Sequence, residues 1–343
     1  MGQPVIENRT PFSFETMFVL DEEGRPLLVP ILKATYAISR EGLVLADEQR
    51  PVELAGVPWG EPEQSSYRYE PECALWKVAT DVVLVGAAVA PDKSTTELLV
   101  ALQMGALRKT VRVTGDRTWY KSLGRISMTR PLPFERIPLR YERAFGGWDR
   151  SASDPKQHRF DGRNPVGTGF RANARNFQEG LRLPNLEDPR LPLREFGQVV
   201  PVACFGFTSP HWQPRSAYGG TYDEAWTRER MPLLPKNFDR RFFSAASEGL
   251  VAPGYLNGRE PVTIINASSA GRLAFTLPGV TPRLRVERVD DEDVEPALNL
   301  DTVILDTEAN RVFLLWRGNL LLDEGPPDLV SLEVTAEGLP PST

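Results

Sequence analysis

Apolar residues that alternate with polar ones recur near both ends of the chain, and this two-residue period constrains the fold more than any other feature. In KTVRVTGDRTW, Val111 and Val113 alternate with polar residues up to a turn at Gly115 and Asp116. Successive side chains of a strand point to opposite faces of a sheet, so this alternation is typical of a half-buried strand. Two further apolar pairs, LLVPILKATYAI with GLVLA and TVILD with RVFLLW, are each separated by a short polar stretch. We expect each pair to form a β-hairpin.

The fold class follows from the number of such segments. Further strand candidates are ALWKVATDVVLVGAAV, VTIINA, RLAFTL and RLRVERV. No long pattern of period 3.6 alternates with them, as a parallel α/β sheet would require. The sequence therefore predicts a mainly β fold of antiparallel sheets, sandwich-like or barrel-like, with an ordered loop-rich middle segment and a few short helices. We divide the 343 residues into an N-terminal β region at 1–130, the loop-rich segment at 131–260 and a C-terminal β region at 261–343, in one or two compact domains.

The middle segment, residues 131–260, differs from its flanks in composition. It holds 17 Arg and 2 Lys against 15 acidic residues, whereas the whole chain has a net charge of −6. It also holds 18 of the 31 aromatic residues, 14 of the 31 prolines and 13 of the 27 glycines. So many aromatic residues exclude disorder, while Pro and Gly interrupt regular helices and strands. We expect ordered loops with largely buried rings. These rings include Phe145, Trp148, Phe170, Trp226 and Phe238.

One short helix is predicted inside this segment, from Tyr222 to Arg230. Thr221 and Glu224 have the spacing of a capping box, in which each side chain bonds a backbone N–H near the start of the helix. Tyr222 and Trp226 lie four residues apart and share one face of such a helix. Local folding thus accounts for half of the motif GTYDEAW.

Three carboxylates of the middle segment, Asp223, Glu224 and Asp239, are candidates for acid–base chemistry. Two of them facing each other across a cleft would serve as the carboxylate pair of a glycoside hydrolase, and aromatic neighbours suit a sugar. The alternative is structural, because Asp223 and Glu224 fit a helix first turn and Asp239 adjoins Arg240 and Arg241. We favour the structural alternative.

Other catalytic and cofactor chemistry has less support. The two histidines, His158 and His211, accompany no GxSxG or Cys/His motif. The two cysteines, Cys73 and Cys204, lack CxxC spacing, so we expect free thiols in a reducing compartment. His, Cys, Asp and Glu do not occur at the spacing of metal ligands. We expect no enzymatic activity, no metal site and no cofactor.

Charge and hydropathy argue against two classes of partner. Arginine interleaved with aromatic residues is found in proteins that bind single-stranded nucleic acid, but a chain with a pI of about 5.3 does not suit that role. The longest purely apolar run, VVLVGAAVA, is too short to span a bilayer, and MGQPVIENRT lacks the features of a signal peptide. We therefore expect no nucleic acid partner, no membrane partner and a cytoplasmic location.

Six motifs occur in a fixed order along most of the chain. They are VRVTGDRTW (111–119), ERAFGG (142–147), NPVGTGF (164–170), LPNLE (183–187), GTYDEAW (220–226) and LPKNFDRRFF (234–243). Together they resemble the bacterial family of uncharacterised-domain proteins encoded beside PAAR-repeat and spike proteins in type VI secretion clusters. The resemblance implies a cytoplasmic adaptor or chaperone that holds a PAAR-containing effector, or the PAAR tip itself, until it is mounted on the spike. It implies no catalytic residues.

This expectation agrees with the residue types of the middle segment. Trp, Tyr and Arg dominate the hot spots of protein interfaces. The expected partner is a PAAR-containing effector or a spike protein. The residues expected to bind it include Arg143, Trp148, Tyr222, Asp223, Trp226 and Arg230. The alternative is a carbohydrate-active or carbohydrate-binding β-protein that uses Asp223 or Asp239 with neighbouring aromatic rings.

Overall fold

The computed structural model describes residues 4–172, 177–289 and 291–339. The strands, in chain order, are β1 (Val5–Asn8), β2 (Ser13–Leu20), β3 (Pro26–Ser39), β4 (Gly42–Leu45), β5 (Val57–Pro58), β6 (Tyr67–Tyr69), β7 (Asp81–Val85), β8 (Ala87–Val89), β9 (Glu97–Met104), β10 (Leu107–Thr114), β11 (Trp119–Ser122), β12 (Arg125–Met128), β13 (Arg136–Pro138), β14 (Phe145–Gly146), β15 (Trp148–Asp149), β16 (Arg159–Phe160), β17 (Thr168–Gly169), β18 (Leu186–Glu187), β19 (Pro261–Ile265), β20 (Arg272–Thr276), β21 (Thr281–Arg288), β22 (Asn299–Asp306), β23 (Arg311–Arg317), β24 (Leu320–Leu321) and β25 (Leu329–Glu337).

Helices in the described residues are short. The α-helix is α1 (Glu224–Glu229), and the 3₁₀ turns are Tyr141–Arg143, Pro155–Gln157, Arg215–Gly219, Arg240–Phe243 and Pro326–Asp328. Within the part of the chain that the structure describes, no helix has the length and apolar character needed to cross a membrane.

The largest sheet is built around β3. Its seven strands include the path β2-β3-β23-β22-β7, and β4 and β24 also pair with β3. Alternate residues of β3 enter different cores: Leu28 and Leu32 belong to the main core, whereas Val29 and Ile31 pack with Trp76 in a second, smaller core. Because both faces of β3 are covered, its sequence is almost continuously apolar instead of alternating.

Two further sheets complete the main core. The five-stranded sheet has the order β18-β10-β9-β19-β20, and the three-stranded sheet has the order β1-β25-β21. Val100 and Ile264 of the first, Leu284 and Leu332 of the second, and Val303 of the large sheet all belong to one buried cluster. The predicted mainly β, largely antiparallel fold is confirmed, and the sheets of the described residues do not close into a barrel. Parallel pairing, which the sequence did not indicate, joins β22 to β7 and β1 to β25.

The predicted hairpins are present. β3 pairs with β4 and β22 pairs with β23, in antiparallel register. The second turn contains Asn310, whose φ of 55° lies in the left-handed region that Asn tolerates better than most residues. Strand KTVRVT is the second half of a third hairpin, β9–β10.

Most of the middle segment consists of turns, 3₁₀ turns and two-residue strands. It nevertheless contributes to burial, because Phe205 and Phe207 lie in the main core and a third core gathers Trp119, Phe145 and Leu183. The third core fastens residues of the loop-rich segment to β11, which belongs to the N-terminal region.

Candidate protein-binding surface

Asn164 links two of the six motifs through backbone hydrogen bonds. Its side chain has no exposed surface, and Nδ2 donates to the carbonyl oxygens of Tyr141 at 2.8 Å and Phe145 at 3.0 Å. Its own carbonyl oxygen accepts from the backbone N–H groups of Gly147 at 2.8 Å and Gly167 at 3.2 Å. One asparagine therefore satisfies buried backbone groups of ERAFGG and holds that motif against NPVGTGF.

Two glycines allow this close approach. Gly146 and Gly147 have φ angles of 146° and 90°. A Cβ atom on Gly147 would lie 2.1 Å from the carbonyl oxygen of Gly167, and one on Gly146 would lie 2.2 Å from that of Asn164. Such distances are too short for a side chain, so the backbone at the start of β15 depends on glycine.

Glu187 joins the motifs LPNLE and VRVTGDRTW. Its buried carboxylate accepts from Arg112 at 2.8 Å and from Arg117 at 3.0 Å, and it also accepts from the backbone N–H of Leu193 at 3.1 Å. A buried carboxylate is tolerated when it is paired and hydrogen-bonded in this way. Two arginines of the motifs thus have a structural role.

We call the hydrogen-bonded motifs ERAFGG, NPVGTGF, LPNLE and VRVTGDRTW the framework. Arg143, an expected partner-binding residue, belongs to it. Its guanidinium lies 3.2 Å from Oδ1 of Asn185 and 3.5 Å from Oδ1 of Asp116. The backbone N–H of Asn185 donates to the Arg143 carbonyl oxygen at 2.8 Å. Arg143 therefore connects three motifs and is half-buried.

Trp148 projects from this framework, and its ring packs in a tilted orientation on that of Phe160. The two residues are opposite each other in the β15–β16 pair, with ring centroids 4.6 Å apart and an interplanar angle of 32°. Trp148 is 42% exposed and Phe160 48% exposed. The guanidinium of Arg150 lies 5.2 Å from the centroid of the Trp148 ring. We call Trp148, Phe160 and Arg150 the Trp148 platform.

The expectation that Trp148 is buried is wrong. Phe145 has no exposed surface, and Phe170, Trp226 and Phe238 are half-buried, but the Trp148 ring, which follows the two positive-φ glycines Gly146 and Gly147, is exposed. Sequence reasoning also missed Phe160, because nothing in HRFDGR distinguishes its ring from a buried one. Only the register of the β15–β16 pair places it on Trp148.

A groove of about 420 Å³ adjoins the platform. Its walls include Gly147, Trp148, Arg150, Val166 and Arg171. Residues of NPVGTGF, namely Pro165, Val166 and Gly167, thus form one wall, and the exposed indole forms part of another.

The other expected binding residues lie around α1. Tyr222 is 56% exposed, and its ring packs against Trp226 with centroids 4.7 Å apart, as predicted for one helix face. The capping box is wrong: Asp223, not Thr221, caps the helix and accepts from the Trp226 N–H at 2.8 Å. Thr221 is instead held by Asn237, whose Nδ2 donates to its hydroxyl oxygen at 3.0 Å.

Arg230 and Asp239 also stabilise local structure. Arg230 donates to the carbonyl oxygens of Leu234 and Glu22 and so ties the α1 region to the turn after β2. Asp239 caps the following 3₁₀ turn and pairs with Arg241, and the hydrogen bond from that guanidinium keeps the pKa of the Asp239 carboxyl below its usual range.

The six expected binding residues therefore fall into two groups. Arg143 and Trp148 belong to the framework and its platform, and the other four surround α1. Within residues 4–172, 177–289 and 291–339, no hydrogen bond, ion pair or ring contact joins the two groups. Nor do these residues contain three His, Cys, Asp or Glu side chains grouped as metal ligands.

Comparison with known protein families gives a match over most of the chain. No curated protein and no solved structure matches the chain. The family DUF2169, described as an uncharacterized protein conserved in bacteria, matches residues 23–317, which include all six motifs and the Trp148 platform. The chain belongs to the DUF2169 family of bacterial proteins.

Proposed function

We propose that this protein is a non-enzymatic adaptor or chaperone of type VI secretion, which binds a PAAR-containing effector or spike protein in the cytoplasm. The resemblance of the six motifs to proteins encoded beside PAAR-repeat proteins suggests the partner. The observation that carries a binding role is the pair of exposed, mutually packed rings of Trp148 and Phe160.

Two properties of this pair favour binding over packing. When a partner covers an exposed ring, the complex is stabilised by roughly 25 cal/mol for each Å² of apolar surface removed from water. The rings are also held in place by the glycine-dependent backbone at Gly147 and by strand pairing, so little side-chain freedom is lost on association. Exposed, pre-organised aromatic residues of this kind are typical interface hot spots.

The carbohydrate alternative depends on Asp223 and Asp239. Each accepts a hydrogen bond from a backbone N–H at the start of a helical turn, which is a structural role. Neither contacts the Trp148 platform in the described residues. The adaptor proposal uses the exposed rings without requiring a reactive carboxylate.

The first prediction concerns complex formation. The protein is co-expressed with the PAAR effector encoded beside it, and one partner is purified through an affinity tag. We expect a stable complex, together with higher effector abundance and secretion when the adaptor gene is present, because a ligand that binds only the folded client stabilises it. Trp148→Ala should weaken binding by about tenfold or more.

Tyr120→Ala is the matched control, since Tyr120 is also an exposed aromatic residue but lies on β11, outside the expected binding residues, and should leave binding unchanged. Both variants should keep the thermal unfolding temperature of the wild type. Absence of a complex, combined with unchanged effector abundance and delivery, would contradict the adaptor function.

A further inference from the structure

The arginines around the Trp148 platform differ from other arginines that contact aromatic rings. Arg240 lies over Trp76 and also pairs with Glu22, and Arg241 lies over Tyr218 and pairs with Asp239. Those guanidinium charges are balanced within the chain.

At the platform, this balance is missing. Arg150, Arg159 and Arg171 form no ion pair with any residue that the structure describes. Arg159 donates to the carbonyl oxygens of Lys156 at 2.9 Å and His158 at 2.8 Å, and Arg171 donates to that of Phe170 at 2.6 Å. Carbonyl oxygens fix the direction of these guanidinium groups without forming an ion pair with them.

Arg171 lines the groove and is partly withdrawn from water. Burial lowers the pKa of its guanidinium, while the nearby Asp149 acts in the opposite direction. Asp149 also lines the groove, and its buried carboxylate accepts the backbone N–H groups of Ser151 and Ala172. The charged side chains that line the groove are therefore Arg150 and Arg171 against this one carboxylate. An anionic group entering the groove would offset the cost of burying the Arg171 charge.

The segment that surrounds the groove carries a net positive charge. From Trp148 to Arg171 the chain has five basic residues against three acidic ones, whereas the whole chain carries a net charge of −6. At physiological salt, interactions between exposed charges more than about 8 Å apart are largely screened. The local excess of arginine, and not the net charge of the whole chain, therefore acts on a carboxylate in the groove.

We propose that the groove beside Trp148 receives an acidic segment of the client protein, whose apolar side chain packs on Trp148 and Phe160 and whose carboxylates pair with Arg150 and Arg171. This inference rests on the proposed adaptor function and specifies the chemistry of the partner segment. Guanidinium groups suit this task because they bind carboxylates with two parallel hydrogen bonds.

The test uses the purified wild-type protein and the PAAR effector that co-purifies with it in the pull-down. Binding is measured by calorimetry for Arg150→Glu and for the control Arg272→Glu, which makes the same charge change at an exposed residue of β20. We expect Arg150→Glu to weaken binding by about tenfold or more and Arg272→Glu to change it by less than about twofold. Raising the salt concentration should weaken the wild-type complex.

Cross-linking locates the contact independently. Lys156 has an exposed side-chain amine, and its backbone carbonyl oxygen accepts a hydrogen bond from Arg159, which places it beside the platform arginines. If an acidic segment binds there, a carbodiimide should join the Lys156 amine to an Asp or Glu of the client. Lys156→Arg keeps the charge and should abolish that cross-link without reducing affinity.

The outcomes separate the two proposals. Suppose that the wild-type protein binds the effector, that Arg150→Glu weakens binding no more than Arg272→Glu does, and that Lys156 gives no cross-link. This outcome would overturn the acidic-segment site and leave the adaptor function standing. Failure of the wild-type protein to bind the effector would overturn both. Weaker binding with Arg150→Glu but not with Arg272→Glu, together with a Lys156 cross-link to a client carboxylate, would establish the site.

Discussion

At the scale of single residues, Lys109 shows how burial changes an ionisable group. Its Nζ atom donates to Ser247 Oγ and to the carbonyl oxygen of Glu248, and it forms no ion pair with a described residue. Burial lowers the pKa of the Lys109 ammonium from its usual value to about 8, although the carboxylates of Glu248 and Asp188 act in the opposite direction. The neutral amine is therefore favoured by folding.

The second prediction follows from this shift. Between pH 8 and about 10.4, the usual pKa of lysine, the unfolded chain holds the Lys109 proton that the folded chain has lost. Because the unfolded state binds more protons there, the free energy of unfolding should rise with pH relative to Lys109→Met, by up to about 3 kcal/mol. Well below pH 8 both the folded and the unfolded state carry the Lys109 proton. The difference in the free energy of unfolding between wild type and Lys109→Met should therefore stay constant there.

Urea unfolding of wild type and variant between pH 6 and about 10.5 measures this difference. The control is Lys121→Met, which replaces an exposed lysine of β11. A wild-type minus Lys109→Met difference that is flat, or that falls as pH rises from 8, would contradict the prediction.

At the scale of elements, the β15–β16 pair depends on Gly147. The third prediction compares Gly147→Ala with Gly124→Ala, because both glycines have positive φ, at 90° and 78°. No atom lies within 4 Å of a Cβ built on Gly124, whereas one on Gly147 meets the Gly167 carbonyl oxygen. Gly124→Ala should cost about 1 to 2 kcal/mol for the left-handed backbone alone.

Gly147→Ala should cost distinctly more, because the backbone must also move away from Gly167. It should reduce client binding as well, since the displaced hairpin carries Trp148 and Phe160. Urea denaturation and the pull-down measure the two effects. Equal losses of stability in both variants would show that the close approach to Gly167 is not a constraint.

The elements that could be predicted from sequence are those set by local pattern. Hairpins β3–β4 and β22–β23 follow from a two-residue period and short polar turns, and α1 follows from its spacing of Tyr222 and Trp226. The parallel pairing of β22 with β7 has no local turn to signal it. The predicted cap of α1, Thr221, is wrong because Thr221 is held by Asn237, which lies in a separate turn.

The candidate surface was predictable only in part for the same reason. Trp148 was singled out by residue type, but its exposure depends on the backbone at Gly146 and Gly147. Phe160 gave no signal, since its position on Trp148 is set by strand register. Arg143 and Arg230 have the residue type of hot spots, yet each bonds neighbouring segments of the chain itself.

At the scale of the whole molecule, the largest sheets combine strands from distant parts of the sequence. The seven-stranded sheet places β3 from the first 130 residues directly against β23 from the last 83, and β22 against β7. The five-stranded sheet places β9 between β10 and β19. Removing the C-terminal region would expose the edges of β3, β7 and β9 and open the main core.

The fourth prediction, in consequence, is that residues 1–130 do not fold on their own, because Leu32, Leu84 and Leu102 lie in a core completed by C-terminal strands. We expect this fragment to show no cooperative urea transition, whereas the full chain should unfold in one transition with coincident far-UV circular dichroism and tryptophan fluorescence. Adding residues 261–343 in trans is the control, since it supplies β19 to β25 and should restore part of the ordered signal if the pairing drives folding. A cooperative transition of the fragment alone, or two separate transitions in the full chain, would mean that the N-terminal region is an independent folding unit despite its shared sheets.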